Sequence, residues 1–171
     1  MQMVETTLIT GVTGFVGSHL LDLLGDKGES EIYGIIRENS SLDRIRDNES
    51  NIKLITCDLQ NKQRLSEVIE NVRPNEIYHL AGQSSVQESW KSINPLVHNN
   101  IVATVNLLEV IKGNKHINPN ILLACSSEEY GLVSDHSFPI DEKTPLILLV
   151  PMPLLRLQLI CLVTNIIKGL G

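Results

Sequence analysis

The residues that most clearly point to chemistry lie near the N-terminus. Thr10-Gly11-Val12-Thr13-Gly14-Phe15-Val16-Gly17 follows an apolar, β-branched run, Val4–Thr10, and opens a stretch with helical spacing. Each glycine has its own purpose in such a turn. Gly11 permits a tight bend, Gly14 lets the backbone approach a pyrophosphate, and Gly17 allows a helix to pack closely on a strand. The helix N-terminus adds free N–H groups and positive dipole for the anion. A second candidate is Arg37, at the end of the next strand. Dinucleotide folds place a carboxylate there for the ribose 2′-OH, whereas a cation pairs with a 2′-phosphate. NADP is therefore the expected cofactor, and Glu38, the next residue, keeps NAD open. Asp58 is a candidate helix N-cap. The histidines (19, 79, 98, 116 and 136) show no ligand spacing, and Cys57, Cys125 and Cys161 stand far apart. Neither a metal site nor a disulfide framework is expected.

These groups need elements to hold them. The pattern predicts strands at Val4–Thr10, Ile32–Ile36, Ile52–Thr56, Glu76–Ala81 and Asn120–Cys125. Between them it predicts a helix over Phe15–Leu24, ended by Gly25 and Gly28, with Phe15, Val16, Leu20, Leu23 and Leu24 on its apolar face. A helical turn is expected around Leu42–Arg46, and a helix over Leu65–Val72 halted by Pro74. A long helix follows over Leu96–Lys112, with Val97, Ile101, Val105, Leu108 and Ile111 on one side. Strands alternating with helices at short spacing predict an α/β fold, a doubly wound parallel sheet of Rossmann type.

Composition narrows the partners. The 171 residues are 42% hydrophobic and 20% charged, enough for a folded core, and the net charge is −6. Without a Lys/Arg run, nucleic acid is not an expected partner. The start of the chain lacks a basic segment followed by an apolar one, so no signal peptide is expected. With its scattered cysteines the chain fits the cytoplasm.

With these blocks in order, the chain resembles the extended short-chain dehydrogenase/reductase family, the NAD-dependent epimerases and dehydratases. The resemblance rests on the G-x-x-G-x-x-G turn, Cys57-Asp58-Leu59, His79-Leu80-Ala81-Gly82-Gln83-Ser84-Ser85-Val86, Asn100 to Glu109, and Cys125-Ser126-Ser127-Glu128-Glu129-Tyr130-Gly131. Within the family, YGIIRENSSLDRI and HLAGQSSVQESW look like the GDP-mannose 4,6-dehydratase and GDP-4-keto-6-deoxymannose reductase branch. The resemblance implies cofactor contacts at Gly11, Gly14, Phe15, Val16, Gly17 and Arg37. It implies Asp58 and Leu59 beside the adenine, and Leu80, Ala81 and Gln83 along the middle of the cofactor. It also implies a nucleotide-sugar substrate of the GDP-mannose type and a homo-oligomeric parent enzyme.

In that family a Tyr accepts a proton from a sugar hydroxyl while hydride passes to the nicotinamide. A Lys four residues on lowers the Tyr pKa from about 10. A Ser or Thr hydrogen-bonds the same sugar oxygen. In dehydratases a carboxylate then removes the proton beside the new ketone, water leaves, and the hydride returns. By resemblance Ser126 is the hydroxyl and Glu128 the carboxylate, while Tyr130 packs. The Tyr-x-x-x-Lys pair is missing. Met152, behind Pro151, and Arg156 occupy its expected positions. Met has no titratable proton, and Arg cannot replace the tyrosine it would assist.

That gap coincides with a change in composition. Residues 146–171 hold nine leucines, no acid, no aromatic and two basic residues, Arg156 and Lys168. Pro151, Pro153 and Arg156 interrupt this tail, so it is a poor membrane span. Codons can be chosen for Val150 to Gly169 that, read one base earlier, begin Ser-Pro-Tyr-Ala-Val-Thr-Lys, with Tyr and Lys in register at Met152 and Arg156. The expectation is thus a dinucleotide-binding domain over 1–146, partial at its C-terminus, and an aberrant, frameshifted tail over 147–171, with the substrate domain absent. The parent activity expected is an NADP-dependent, GDP-mannose 4,6-dehydratase-like lyase, inactive as written. A GDP-4-keto-6-deoxymannose reductase or another NAD(P)-dependent sugar epimerase is the alternative. A non-catalytic NADP(H)-binding module is the alternative of another class.

Overall fold

The computed structural model describes residues 5–82, 93–126, 130, 139–141 and 143–145. Glu128, Gln83, Met152 and Arg156 lie outside the described residues. The elements run β1 (Glu5–Thr10), α1 (Phe15–Lys27), β2 (Ser30–Ile36), a 3-10 helix (Arg46–Asn51), β3 (Ile52–Thr56), α2 (Lys62–Val72), β4 (Glu76–His79), α3 (Ile93–Leu96), a π-helical turn (Val97–Val102), α4 (Ala103–Gly113) and β5 (Asn120–Leu123). These five strands form one parallel sheet in the order β3-β2-β1-β4-β5. The order reverses between β1 and β4, and doubly wound sheets open their ligand crevice at that point.

Alternation along each strand divides the core. Leu8, Ile35 and Ile77 face one side, where they pack with Leu65, Val68 and Ile69 of α2 and Leu107, Val110 and Ile111 of α4. Ile9 and Ile32 face the other side and pack with Leu21 of α1, Ile45 and Ile52. In β1 the adjacent Leu8 and Ile9 are both fully buried on opposite faces, as a sheet covered on both sides requires, and the buried Thr7 and Thr10 flank them.

Several boundaries differ from the sequence pattern for physical reasons. Helix α1 runs through Gly25 and stops at Gly28, whose left-handed φ of 62° lets its N–H close on the Leu24 carbonyl. Its buried stripe centres on Leu21, while Phe15, Val16 and Leu23 are exposed. The expected turn at Leu42–Arg46 is present, closed by the Ile45 N–H on the Leu42 carbonyl at 3.0 Å, and it runs on into the 3-10 helix from Arg46. The Asp58 cap is also displaced. Asn61 is the N-cap of α2, accepting the Arg64 N–H at 3.0 Å, while Asp58 accepts the Gln60 N–H at 2.9 Å in a turn before it. Helix α2 ends on Arg73, at a left-handed φ of 48°, one residue before Pro74.

The long helix is continuous but not uniform. Its wide turn lets the Ala103 N–H reach the His98 carbonyl. The extra residue in that turn rotates the face ahead of α4. Leu96, Asn100, Ala103, Thr104 and Leu107 point inward, and Val97, Ile101 and Val105 are only half-buried. Among the described residues no helix is long and apolar enough to cross a membrane. We expect Leu21→Ala to cost about 3 kcal/mol in a urea melt, as a cavity in a closed core should. Leu23→Ala should stay within about 0.5 kcal/mol of the parent chain.

Candidate cofactor site

The carboxyl ends of four strands converge on one cleft of about 480 Å3. Thr10 and Gly11 come from the end of β1, Ile36 and Arg37 from β2, Cys57 and Asp58 from β3, and Leu80, Ala81 and Gly82 from β4. Asn99, on the π-helical turn, and Ala103 line the opposite wall.

The glycine turn shows why side chains are excluded. At Gly11 the φ is +74°, and an added Cβ would lie 2.7 Å from the Ala81 nitrogen. At Gly17 it would lie 2.3 Å from the Gly11 carbonyl oxygen and 2.7 Å from the Val12 Cα. Backbone cannot yield at those distances, so packing alone demands both glycines. Gly14 differs, because an added Cβ would meet only the Gly11 carbonyl oxygen, at 3.1 Å. Gly14 lines the cleft and opens α1 with no side-chain cap, and the first helical turn carries no acid. An uncapped, unopposed helix N-terminus suits an anion such as a pyrophosphate.

The structure separates the remaining candidates. Arg37, Asp58, Leu59, Leu80 and Ala81 all line the cleft with Gly11 and Gly14. Gly17 is buried beneath the turn, and Phe15 and Val16 are exposed; none of the three is among the lining residues. Arg37 is exposed and has no ionic partner among the described residues. Its N–H donates to Ser40 Oγ at 3.0 Å, which closes a small loop and keeps Ser40 in the cleft. Glu38 is not a lining residue. Ser126 is half-buried just beyond β5 and does not line the cleft. Cys57 does line it, and burial pushes its thiol pKa up, which disfavours the thiolate.

Sequence reasoning missed Asn99, Ala103 and Ser40 as lining residues. Asn99 accepts from Gln60 Nε2 at 3.2 Å, and Asn106 Nδ2 donates to the carbonyls of Leu59 at 3.0 Å and Gln60 at 3.2 Å. The long helix is thereby tied to the loop after β3. Asparagines spaced seven apart on one helix were the available signal.

Comparison with known proteins follows the same outline. The family model for GDP-mannose 4,6 dehydratase matches residues 8–151, most of the chain. The chain belongs to that family. It is 36% identical over 152 residues to GDP-mannose 4,6 dehydratase of Cricetulus griseus, a match covering 82% of this chain and 40% of that protein. It is 33% identical over 146 residues to UDP-glucuronate 4-epimerase 1 of Arabidopsis thaliana, covering 81% of this chain and 34% of that protein. Among solved structures, UDP-glucuronic acid 4-epimerase from Bacillus cereus, in complex with UDP-glucuronic acid and NAD, superposes with a TM-score of 0.81 at 29% identity. That match covers 96% of this chain and 53% of the other. The chain thus spans well under two thirds of the length of these relatives. The fold places it among the extended short-chain dehydrogenases/reductases.

A pair of variants distinguishes packing glycine from ligand-facing glycine. Gly17→Ala should lose about 3 kcal/mol or more of stability, since backbone must move to admit the methyl. Gly14→Ala should melt within about 1 kcal/mol of the parent chain, and still weaken dinucleotide binding measured by titration.

Proposed function

We propose that this chain is the cofactor-binding half of an NADP-dependent enzyme of GDP-mannose 4,6-dehydratase type, and that it does not turn over substrate as written. The observation that carries the cofactor reading is Arg37. It lies at the end of β2 in the same cleft as the glycine turn, with no ionic partner among the described residues. A 2′-phosphate would supply a counter-charge, and Ser40 stands beside it as a hydroxyl donor. Gly11 and Gly14 would admit the pyrophosphate, Asp58 and Leu59 would border the adenine, and Leu80, Ala81 and Gln83 would follow the cofactor toward its reactive end. NADP, when bound, accepts and returns the hydride.

The family match and Glu128 support dehydration, because Glu128 stands where the dehydratase branch keeps its carboxylate, with Ser126 as the hydroxyl that would hold the sugar oxygen. The likeness to UDP-glucuronate 4-epimerases supports epimerisation as the second reading. The substrate in either case is a nucleotide sugar, GDP-mannose in the first. The absence of Tyr-x-x-x-Lys from the sequence removes the proton acceptor in both readings. The change of composition after residue 145, with no acid and no aromatic in residues 146–171, supports a change of reading frame near Leu146–Leu149.

Fluorescence titration of the whole chain tests the cofactor. NADPH should bind more tightly than NADH, and Arg37→Ala should weaken NADPH roughly 10–100-fold, the worth of a charge-assisted contact, while leaving NADH within about twofold. Equal affinity for both would remove the NADP assignment, and binding of neither would remove the cofactor reading.

A second test concerns turnover. GDP-mannose with NADP and the purified chain should give no 4-keto product above the blank. The gene, read across the codons for Leu146 to Gly171, should carry Tyr-x-x-x-Lys in a neighbouring frame. Measurable turnover, or the absence of such a frame, would overturn the inactive, frameshifted reading.

A further inference from the structure

A buried chain of hydrogen bonds joins the two walls of the cleft. The Ala81 N–H donates to Thr10 Oγ1 at 3.2 Å, and Thr10 Oγ1 lies 2.8 Å from His79 Nδ1. On the far side of the ring, His79 Nε2 lies 2.8 Å from Thr104 Oγ1, which donates to the Asn100 carbonyl at 2.7 Å. Thr10, His79 and Thr104 are all nearly inaccessible to solvent. A hydroxyl has one proton to give. Thr104 gives its proton to Asn100, so it meets His79 with a lone pair, and Nε2 must carry the ring proton. Nδ1 is then the acceptor for the Thr10 hydroxyl, which still receives the Ala81 N–H on a lone pair. Every bond in the chain points the same way, from the end of β4 to the π-helical turn.

We propose that His79, as the neutral Nε2–H tautomer, is a positioning residue for the cofactor cleft. It locks Thr10, the residue before the glycine turn, to the helix segment that presents Asn99 and Ala103. The inference rests on the proposed cofactor reading for its consequence, though not for its geometry. His79 itself is not among the lining residues, and neither is Thr104. Their effect on a ligand would therefore pass through Thr10 and the helix wall. Loss of the Thr104 hydroxyl leaves a buried ring N–H without this acceptor, and the two walls lose their common tether.

Two measurements decide it. Nitrogen-15 shifts of His79 in the whole chain should show a protonated Nε2 and an unprotonated Nδ1 at neutral pH; the opposite tautomer or an imidazolium would overturn the proposal. NADPH titration should find Thr104→Val weakened about tenfold with Thr104→Ser within about twofold. Thr104→Val binding like the parent chain, or Thr104→Ser failing to rescue, would also overturn it. The nitrogen shifts need no variant and stand even if Thr104→Val fails to fold. If the parent chain binds neither NADPH nor NADH, the cofactor reading fails and the affinity claim with it, while the shifts still decide the tautomer.

Discussion

Among the described glycines, Gly17 has the least room for a side chain, because its backbone packs against that of Gly11. The start of α1 lies so near the end of β1 that a single methyl at Gly17 would sit 2.3 Å from the Gly11 carbonyl oxygen. That contact does three things together. It sets α1 against the sheet, so that Leu21 reaches Ile9 and Ile32. It aims the uncapped helix N-terminus into the cleft. It also places Gly11 against Leu80 and Ala81, which fixes the gap between β1 and β4 where the strand order reverses. A methyl has no room in that contact, so close packing holds the turn at the mouth of the cleft.

Around that fixed point the cleft is built by topology. Parallel strands in the order β3-β2-β1-β4-β5 bring their carboxyl ends to one edge, so residues far apart in sequence become neighbours. Arg37 and Asp58 belong to loops leaving adjacent strands, β2 and β3, and both stay exposed at the rim. The glycine turn and the Leu80–Gly82 segment line the cleft between them, Asn99 and Ala103 face them, and Leu59 is buried in the core below. A rim of polar side chains over a floor of packed backbone separates recognition from stability, so rim residues can change without disturbing the sheet.

Much of this was legible in the sequence. Ile52–Thr56 matched to the residue, and β1 and β2 matched to within two, because short runs rich in β-branched and apolar residues, bounded by turn residues, mark strands. The glycine turn was legible for a similar reason, since little else fits there. What the sequence could not show depends on turns and partners. Gly25 looks like a helix stop, but glycine stops a helix only where φ turns positive, and that happens at Gly28. Phe15, Val16 and Leu23 look like core on a helical wheel, yet the stripe that meets the sheet is centred on Leu21. The π-helical turn moved the inward face of the long helix by about one residue, bringing Asn100 and Thr104 inside. The hydroxyl–imidazole chain joins residues 69 and 25 positions apart, and no local pattern announces it.

The order of these features along the chain bears on what a sequence like this can retain. Every residue that shapes the cleft among the described ones lies between Thr10 and Ala103. On the proposed reading, the groups that move protons come later: Ser126, Glu128, and the positions held by Met152 and Arg156. The five described strands and both apolar faces of their sheet lie before Ala124. A change of reading frame near Leu146–Leu149 would therefore fall after the cofactor cleft and before the central acid/base pair. On that reading binding and chemistry would be separable, because the chain lays them out one after the other, and a lesion at that position would leave the first and remove the second.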